Sequence, residues 1–110
     1  MEPTFETHSA GAWTVVSVQG ELDLSTSPAL RSALDNGFGH GTPRIAVDLS
    51  AVSFMDSSSL GVLVACLKRA REHDGELTLI GVQGSPAKVI ALTGLDAVFR
   101  IEASVADLPA

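Results

Sequence analysis

Basic residues are scarce in this sequence. Seven Lys+Arg face thirteen Asp+Glu, giving a formal net charge of −6 and a sequence pI near 4.8. A protein that grips nucleic acid needs a basic patch to meet the phosphates, so this balance argues against a nucleic-acid partner. Long apolar runs are also missing. The longest, Leu60 to Leu67, has eight residues and contains Gly61, far short of a membrane span, and no membrane partner is expected. The start, Met1-Glu2-Pro3, has neither the basic opening nor the apolar run of a secretory signal. Cysteine is nearly absent, and the single Cys66 has no second thiol in the chain to pair with. That usage agrees with a reducing, cytoplasmic setting.

Repeats, low-complexity tracts and linker-like stretches are absent as well. What remains is 110 residues that are 45% apolar and 18% charged, the composition of a folded globule. One domain over residues 1–110 is expected.

Thr4 to His8 alternates like a strand, Ser9-Ala10-Gly11 reads as a turn, and Trp13 to Val18 is β-branched, which together predict a hairpin. Gly20 to Leu24 reads as a separate short extended piece. Ser27-Pro28 predicts a helix start, with Ser27 as cap and Pro28 at the first helical position. Leu30, Ala33 and Leu34 share a helical face, and Gly37 reads as the stop. Ile45 to Leu49 is a compact apolar run of the kind buried in parallel sheets.

Leu60, Leu63, Val64 and Leu67 then recur with the spacing of an amphipathic helix. The cations Lys68, Arg69, Arg71 and His73 suit its carboxyl end, and Asp74-Gly75 closes it. Leu77 to Ile80 is the next strand, completing a parallel crossover. Ser85-Pro86 predicts a further helix start, ended by Gly94. Val98 to Ile101 reads as an edge strand, and Ser104 with Asp107 as a capping pair for a terminal turn. The fold class is α/β: a mixed sheet with helices packed mainly on one side.

Catalytic patterns are missing. His8, His40 and His73 fall in different elements without the spacing of a zinc site, and no nucleophile elbow, phosphate loop or dinucleotide fingerprint occurs. No catalytic residue, cofactor or metal is therefore assigned. Gly37-Phe38-Gly39-His40-Gly41 precedes a strand and reads as a plain connection. Cys66 lies in the apolar helix and reads as a buried structural thiol. One segment stands apart: Phe54-Met55-Asp56-Ser57-Ser58-Ser59-Leu60-Gly61, at the carboxyl end of a strand, where α/β sheets usually meet ligands and partners. Asp56 or Ser57 suits a helix cap. A serine here equally suits a phosphate acceptor, since a phosphate would face the free N–H groups and positive end of the helix. Spacing alone leaves both readings open.

These segments together carry a resemblance. Gly20-Glu21-Leu22-Asp23, the strand Ile45 to Leu49, Phe54-Met55-Asp56-Ser57-Ser58-x-Leu60-Gly61 and Thr93-Gly94-Leu95, in that order, resemble the anti-sigma factor antagonist family, whose fold is the STAS domain. The resemblance implies a non-enzymatic partner switch. The unphosphorylated antagonist binds an anti-sigma factor that is also a serine kinase, and so releases a sigma factor. Phosphorylation of the serine after the motif aspartate, here Ser57, ends the complex, and a serine phosphatase reverses it. Asp23, Asp56, Ser58, Ser59 and Gly61 are the implied partner-binding residues around Ser57. Ser59 departs from the family pattern, which usually has glycine there, and it makes three adjacent hydroxyls. A second reading keeps the fold but not the phosphorylation, as a scaffold or a transporter's companion module. A third, a serine hydrolase, needs a base within reach of the serine.

Overall fold

The computed structural model describes residues 2–38 and 43–109. Strand β1 (Thr4–Ala10) turns back into β2 (Trp13–Leu22) through the two-residue loop Gly11-Ala12, where Gly11 takes φ +61°. Glycine at the first loop position supplies the positive φ that a tight hairpin turn requires. Helix α1 (Ser27–Phe38), strand β3 (Arg44–Met55), helix α2 (Ser57–Glu72), strand β4 (Glu76–Ile80), helix α3 (Gly84–Leu92) and strand β5 (Arg100–Glu102) follow. Short 3₁₀ turns at Leu95–Ala97 and Val105–Asp107 flank β5. The sheet order is β1-β2-β3-β4-β5, with β1 antiparallel to β2 and every other pairing parallel. This is the predicted mixed α/β sheet.

All three helices press on one face. Leu30 and Leu34 of α1, Leu60, Leu63 and Leu67 of α2 and Ile90 of α3 join Val16, Val18, Ile45, Val47, Leu77 and Leu79 in one core. The other face has a smaller cluster of Trp13, Val15, Ala46 and Ile80, covered by Val105 and Leu108 of the terminal segment. The Trp13 indole Nε1 donates to the Pro109 carbonyl at 2.8 Å, tying the carboxyl terminus across the sheet.

Several boundaries differ from the sequence reading, each for a local reason. β2 runs unbroken through Gly20 to Leu22, so the separate extended piece is the end of that strand. β3 continues past Leu49 to Met55. Its register with β2 slips at two places, between Ser17 and Gln19 and between Gly20 and Glu21, each inserting one extra residue into β3. The buried positions Leu49, Val52 and Met55 are consequently three apart, which hides the period-2 signal.

The carbonyl of Thr26 accepts from Leu30 N, so Ser27 is the first helical residue of α1 and not its cap. Gly37 does not stop α1. It is buried within the helix, and a Cβ there would lie 3.3 Å from both Ile45 Cδ1 and Val16 Cγ2, so its bareness lets α1 sit close on the sheet. α3 starts at Gly84, which places Ser85 inside the helix. The edge strand begins at Arg100, because Val98 and Phe99 still close the preceding turn onto Leu95. The connection at Gly39 to Gly41, with His40, lies outside the described residues.

Candidate functional site

Two loops at the carboxyl edge of the parallel strands build the site. The first joins β2 to α1. Asp23 Oδ1 accepts from Ser25 Oγ at 2.7 Å, from Thr26 N at 3.1 Å and from Thr26 Oγ1 at 3.2 Å, while Asp23 N donates to Thr26 Oγ1 at 2.8 Å. These bonds, led by that from Ser25, outweigh a small loss of hydration and hold the Asp23 carboxyl below its ordinary range. Asp23 is thus a loop organiser whose own hydrogen bonds keep it ionised.

The second loop is the junction of β3 and α2. Asp56 is the helix cap, in extended conformation. Its Oδ1 accepts from Ser58 N at 3.0 Å, Ser59 N at 3.2 Å and Ser58 Oγ at 2.5 Å. Partial burial pushes the Asp56 carboxyl up. The bonds from the Ser58 hydroxyl, the Ser59 and Ser58 N–H groups and the Leu24 N–H together pull it down further, so the net displacement is downward. With Asp56 assigned as the cap, Ser57 is left exposed as the first residue of α2, with no side-chain hydrogen bond among the described residues.

The loops are stitched together. Asp56 N donates to Leu22 O at 3.1 Å, and Ser27 Oγ lies 2.9 Å from the Asp23 carbonyl and 3.3 Å from Ser58 Oγ. Asp23, Ser27, Ser58 and Asp56 therefore form one connected polar set, with Asp56 and Ser58 flanking Ser57 in the chain. Ser85 braces it from behind, its Oγ accepting from Met55 N at 3.1 Å. Leu24, 74% exposed, and Phe54, 44% exposed, give the same edge an apolar component. From sequence, Ser27 and Ser85 read only as helix starts and Leu24 only as the end of an extended piece, not as parts of the site. Their roles depend on which loops meet, and no local pattern encodes that.

Two expectations change. Ser59 is fully buried, and among the described residues its hydroxyl has no hydrogen-bond partner, so its side chain does not reach a partner surface. It sits beneath the helix start, where the third residue of α2 turns inward. The N–H groups of Ser58 and Ser59 are already taken by Asp56, so they are not open to a phosphate on Ser57. What α2 offers such a group is its positive end. Gly61 is exposed, with nothing within 4 Å of where its Cβ would stand, which leaves the helix backbone bare on that side.

Neither described histidine lies at this corner. His8 pairs with Val15, whose own partner Ala46 is at the opposite end of β3 from Met55, and His73 caps the far end of α2. Cys66 is buried, and that burial, followed by the Asp35 charge, pushes its thiol up, the behaviour of a packed structural residue. Among the described residues, no group of three His, Cys, Asp or Glu side chains is placed to hold a metal, and no helix is long and apolar enough to cross a membrane.

Comparison with known proteins agrees with this architecture. The STAS domain profile matches residues 4–108. Over 95 residues the chain is 38% identical to the anti-sigma-B factor antagonist of Staphylococcus aureus, covering 86% of this chain and 88% of that one. An anti-sigma factor antagonist from Mycobacterium paratuberculosis superposes with a TM-score of 0.85 at 31% identity, covering 96% of this chain and 89% of the other. The phosphorylated form of SpoIIAA, the Bacillus cell fate determinant, shares the fold with a TM-score of 0.69 at 21% identity, covering 92% and 93% of the two chains.

Proposed function

This chain belongs to the STAS domain family, and we propose that it is an anti-sigma factor antagonist switched by phosphorylation of Ser57. In the unphosphorylated state it binds an anti-sigma factor that is also a serine kinase, and a sigma factor is released. Phosphate on Ser57 ends that complex, and a serine phosphatase restores it. The observation that carries the reading is the contrast between neighbours: Asp56 and Ser58 are bound into the cap, whereas the Ser57 hydroxyl is exposed and uncommitted among the described residues. A kinase needs an acceptor oxygen that can leave its surroundings without dismantling them.

The physics of the switch is local. A phosphate adds about −1.5 to −2 charge beside the ionised Asp56. Two unit charges roughly 5 Å apart repel by about 3 kcal/mol at an effective dielectric near 20. Within the free domain the positive end of α2 offsets about 0.3–1 kcal/mol of this, and water screens the rest. A partner closing over the phosphate strips that water and feels the full charge. A loss of about 3 kcal/mol at such an interface weakens binding by roughly a hundredfold.

Burial of Ser59 favours the switch over the unphosphorylated scaffold reading, because serine in place of the family's usual glycine adds nothing to the exposed face. The experiment pairs this chain with its kinase. Ser57→Ala is expected to bind the kinase normally while intact-mass analysis finds no added phosphate. Full phosphate incorporation in Ser57→Ala would move the acceptor elsewhere. Ser57→Asp should weaken binding only in part, since a carboxylate carries less charge and fewer acceptor oxygens.

A further inference from the structure

Among the described residues, the sheet ends on an outer strand with little of the usual protection. β1 is paired on one side only, in unbroken register from Thr4↔Gln19 to Ala10↔Trp13, with no bulge. Its sequence, TFETHSA, contains no Pro, Lys or Arg, and all but Phe5 and Ala10 are exposed. Glu6 is its one acidic charge, whereas natural edge strands generally add Lys, Pro, a bulge or a covering segment against pairing with another chain.

The hairpin dictates where the spare backbone groups lie. Ala10 and Trp13 flank a two-residue turn, so they form a hydrogen-bonded pair. Alternation then commits the N–H and C=O groups of Thr4, Glu6, His8 and Ala10 to β2, and turns those of Phe5, Thr7 and Ser9 outward. Glu6 and His8 project from the face opposite Phe5, which packs against the main core.

We propose that β1 pairs antiparallel with the β1 of a second copy of this chain, centred on Thr7. In that register Thr7 meets its counterpart and Phe5 meets Ser9 through the outward backbone groups. Glu6 then stands opposite His8 of the second copy, and His8 opposite its Glu6, in the non-hydrogen-bonded pairs where side chains approach most closely. Two carboxylate–imidazole pairs form per dimer. Centring on Phe5 or Ser9 keeps backbone bonds but sets Glu6 against Thr4 or His8 against Ala10, and shortens the ladder. The Ser57 corner follows β3, third from this edge, so the pairing does not use it.

The test is sedimentation equilibrium of the full chain over a wide concentration range at physiological ionic strength. A monomer–dimer equilibrium is expected. Glu6→Lys and His8→Glu should each weaken association by about tenfold, through two lost cross-strand pairs and, in His8→Glu, a new contact between like charges. The exchanged variant, Glu6→His with His8→Glu, should return to within about threefold of the original. Thr7→Pro removes an N–H that the monomer leaves outward, so it should abolish the dimer while the circular dichroism spectrum stays folded. A chain that is monomeric throughout overturns the proposal. So does a dimer indifferent to Thr7→Pro, or an exchange no better than the single variants.

Discussion

Asp56 closes α2 and also sets the charge that a phosphate on Ser57 must face. As a cap it accepts from two backbone N–H groups, and replacing such a cap by alanine costs about 0.5–2 kcal/mol. Asp56→Ala should lower stability by about that amount in urea unfolding at neutral pH. Asp56→Asn keeps an acceptor and should lose much less. The pH dependence has a definite sign. Because the folded-state value lies below the ordinary 3.8, the ionised cap contributes its full stability above that pH. The contribution fades as pH falls through the folded value, so the gap between the wild-type protein and Asp56→Ala should narrow in acid. Ser59 poses the opposite case, a buried hydroxyl without a partner among the described residues. Ser59→Ala removes that unsatisfied group and improves helix propensity, and is expected to stabilise the domain by about 1 kcal/mol with kinase binding unchanged. A fall in binding without a fall in stability would give Ser59 a role in recognition after all.

At the scale of the elements, two glycines separate recognition from packing. Gly61 lies in α2 with open space where a Cβ would stand. Gly61→Ala should therefore stabilise the isolated domain by up to about 1 kcal/mol, through helix propensity alone. If the bare backbone there is where the kinase approaches, the same variant binds it more weakly, and the two effects separate in a thermal melt and a titration. Gly75 differs completely. A Cβ on it would lie 2.1 Å from the Pro43 carbonyl oxygen, a backbone atom that cannot swing aside. Glu76 N also donates to that oxygen at 3.2 Å, so the turn after α2 is tied to the entry of β3. Gly75→Ala should cost about 1–3 kcal/mol by forcing these backbones apart, read as a lowered urea midpoint.

The molecule as a whole is a sheet with a thick core on one face and a thin cover on the other. Trp13, the single tryptophan, reports on the thin side because it lies under the terminal segment and donates to Pro109. Ser57 stands at the start of a helix on the thick side. A local electrostatic switch predicts that phosphorylation leaves the Trp13 emission spectrum unchanged, with amide NMR shifts confined to the loops around Asp23 and Asp56. Shifts spread over β2 to β4, or a red-shifted tryptophan, would instead mean that the phosphate repacks the domain.

Element types and their order were legible because they depend on local rules. The apolar spacing of α2, the β-branched run of β2 and the Ser104–Asp107 cap all act within a few residues, and the cap is present as a reciprocal capping box. The segment holding Asp56, Ser57 and Gly61 stands out for the same reason, since a strand end followed by a cap and an apolar stripe marks a sheet's carboxyl edge, while the roles given to Ser57 and Gly61 rest on the family resemblance. Only the folded chain decided how far β3 runs, because its two bulges break the alternation that a strand shows in sequence. Only the folded chain turned Ser59 inward and Ser57 outward, since helix positions two apart point about 200° apart and the core decides which is covered. The bond network from Asp23 through Ser27 and Ser58 to Asp56 joins residues more than thirty positions apart. Its existence follows from the parallel pairing of β2 with β3, which brings both strand ends to one edge. Local propensity determines which segments are strands and helices; neighbouring strands in space determine which loops share a site.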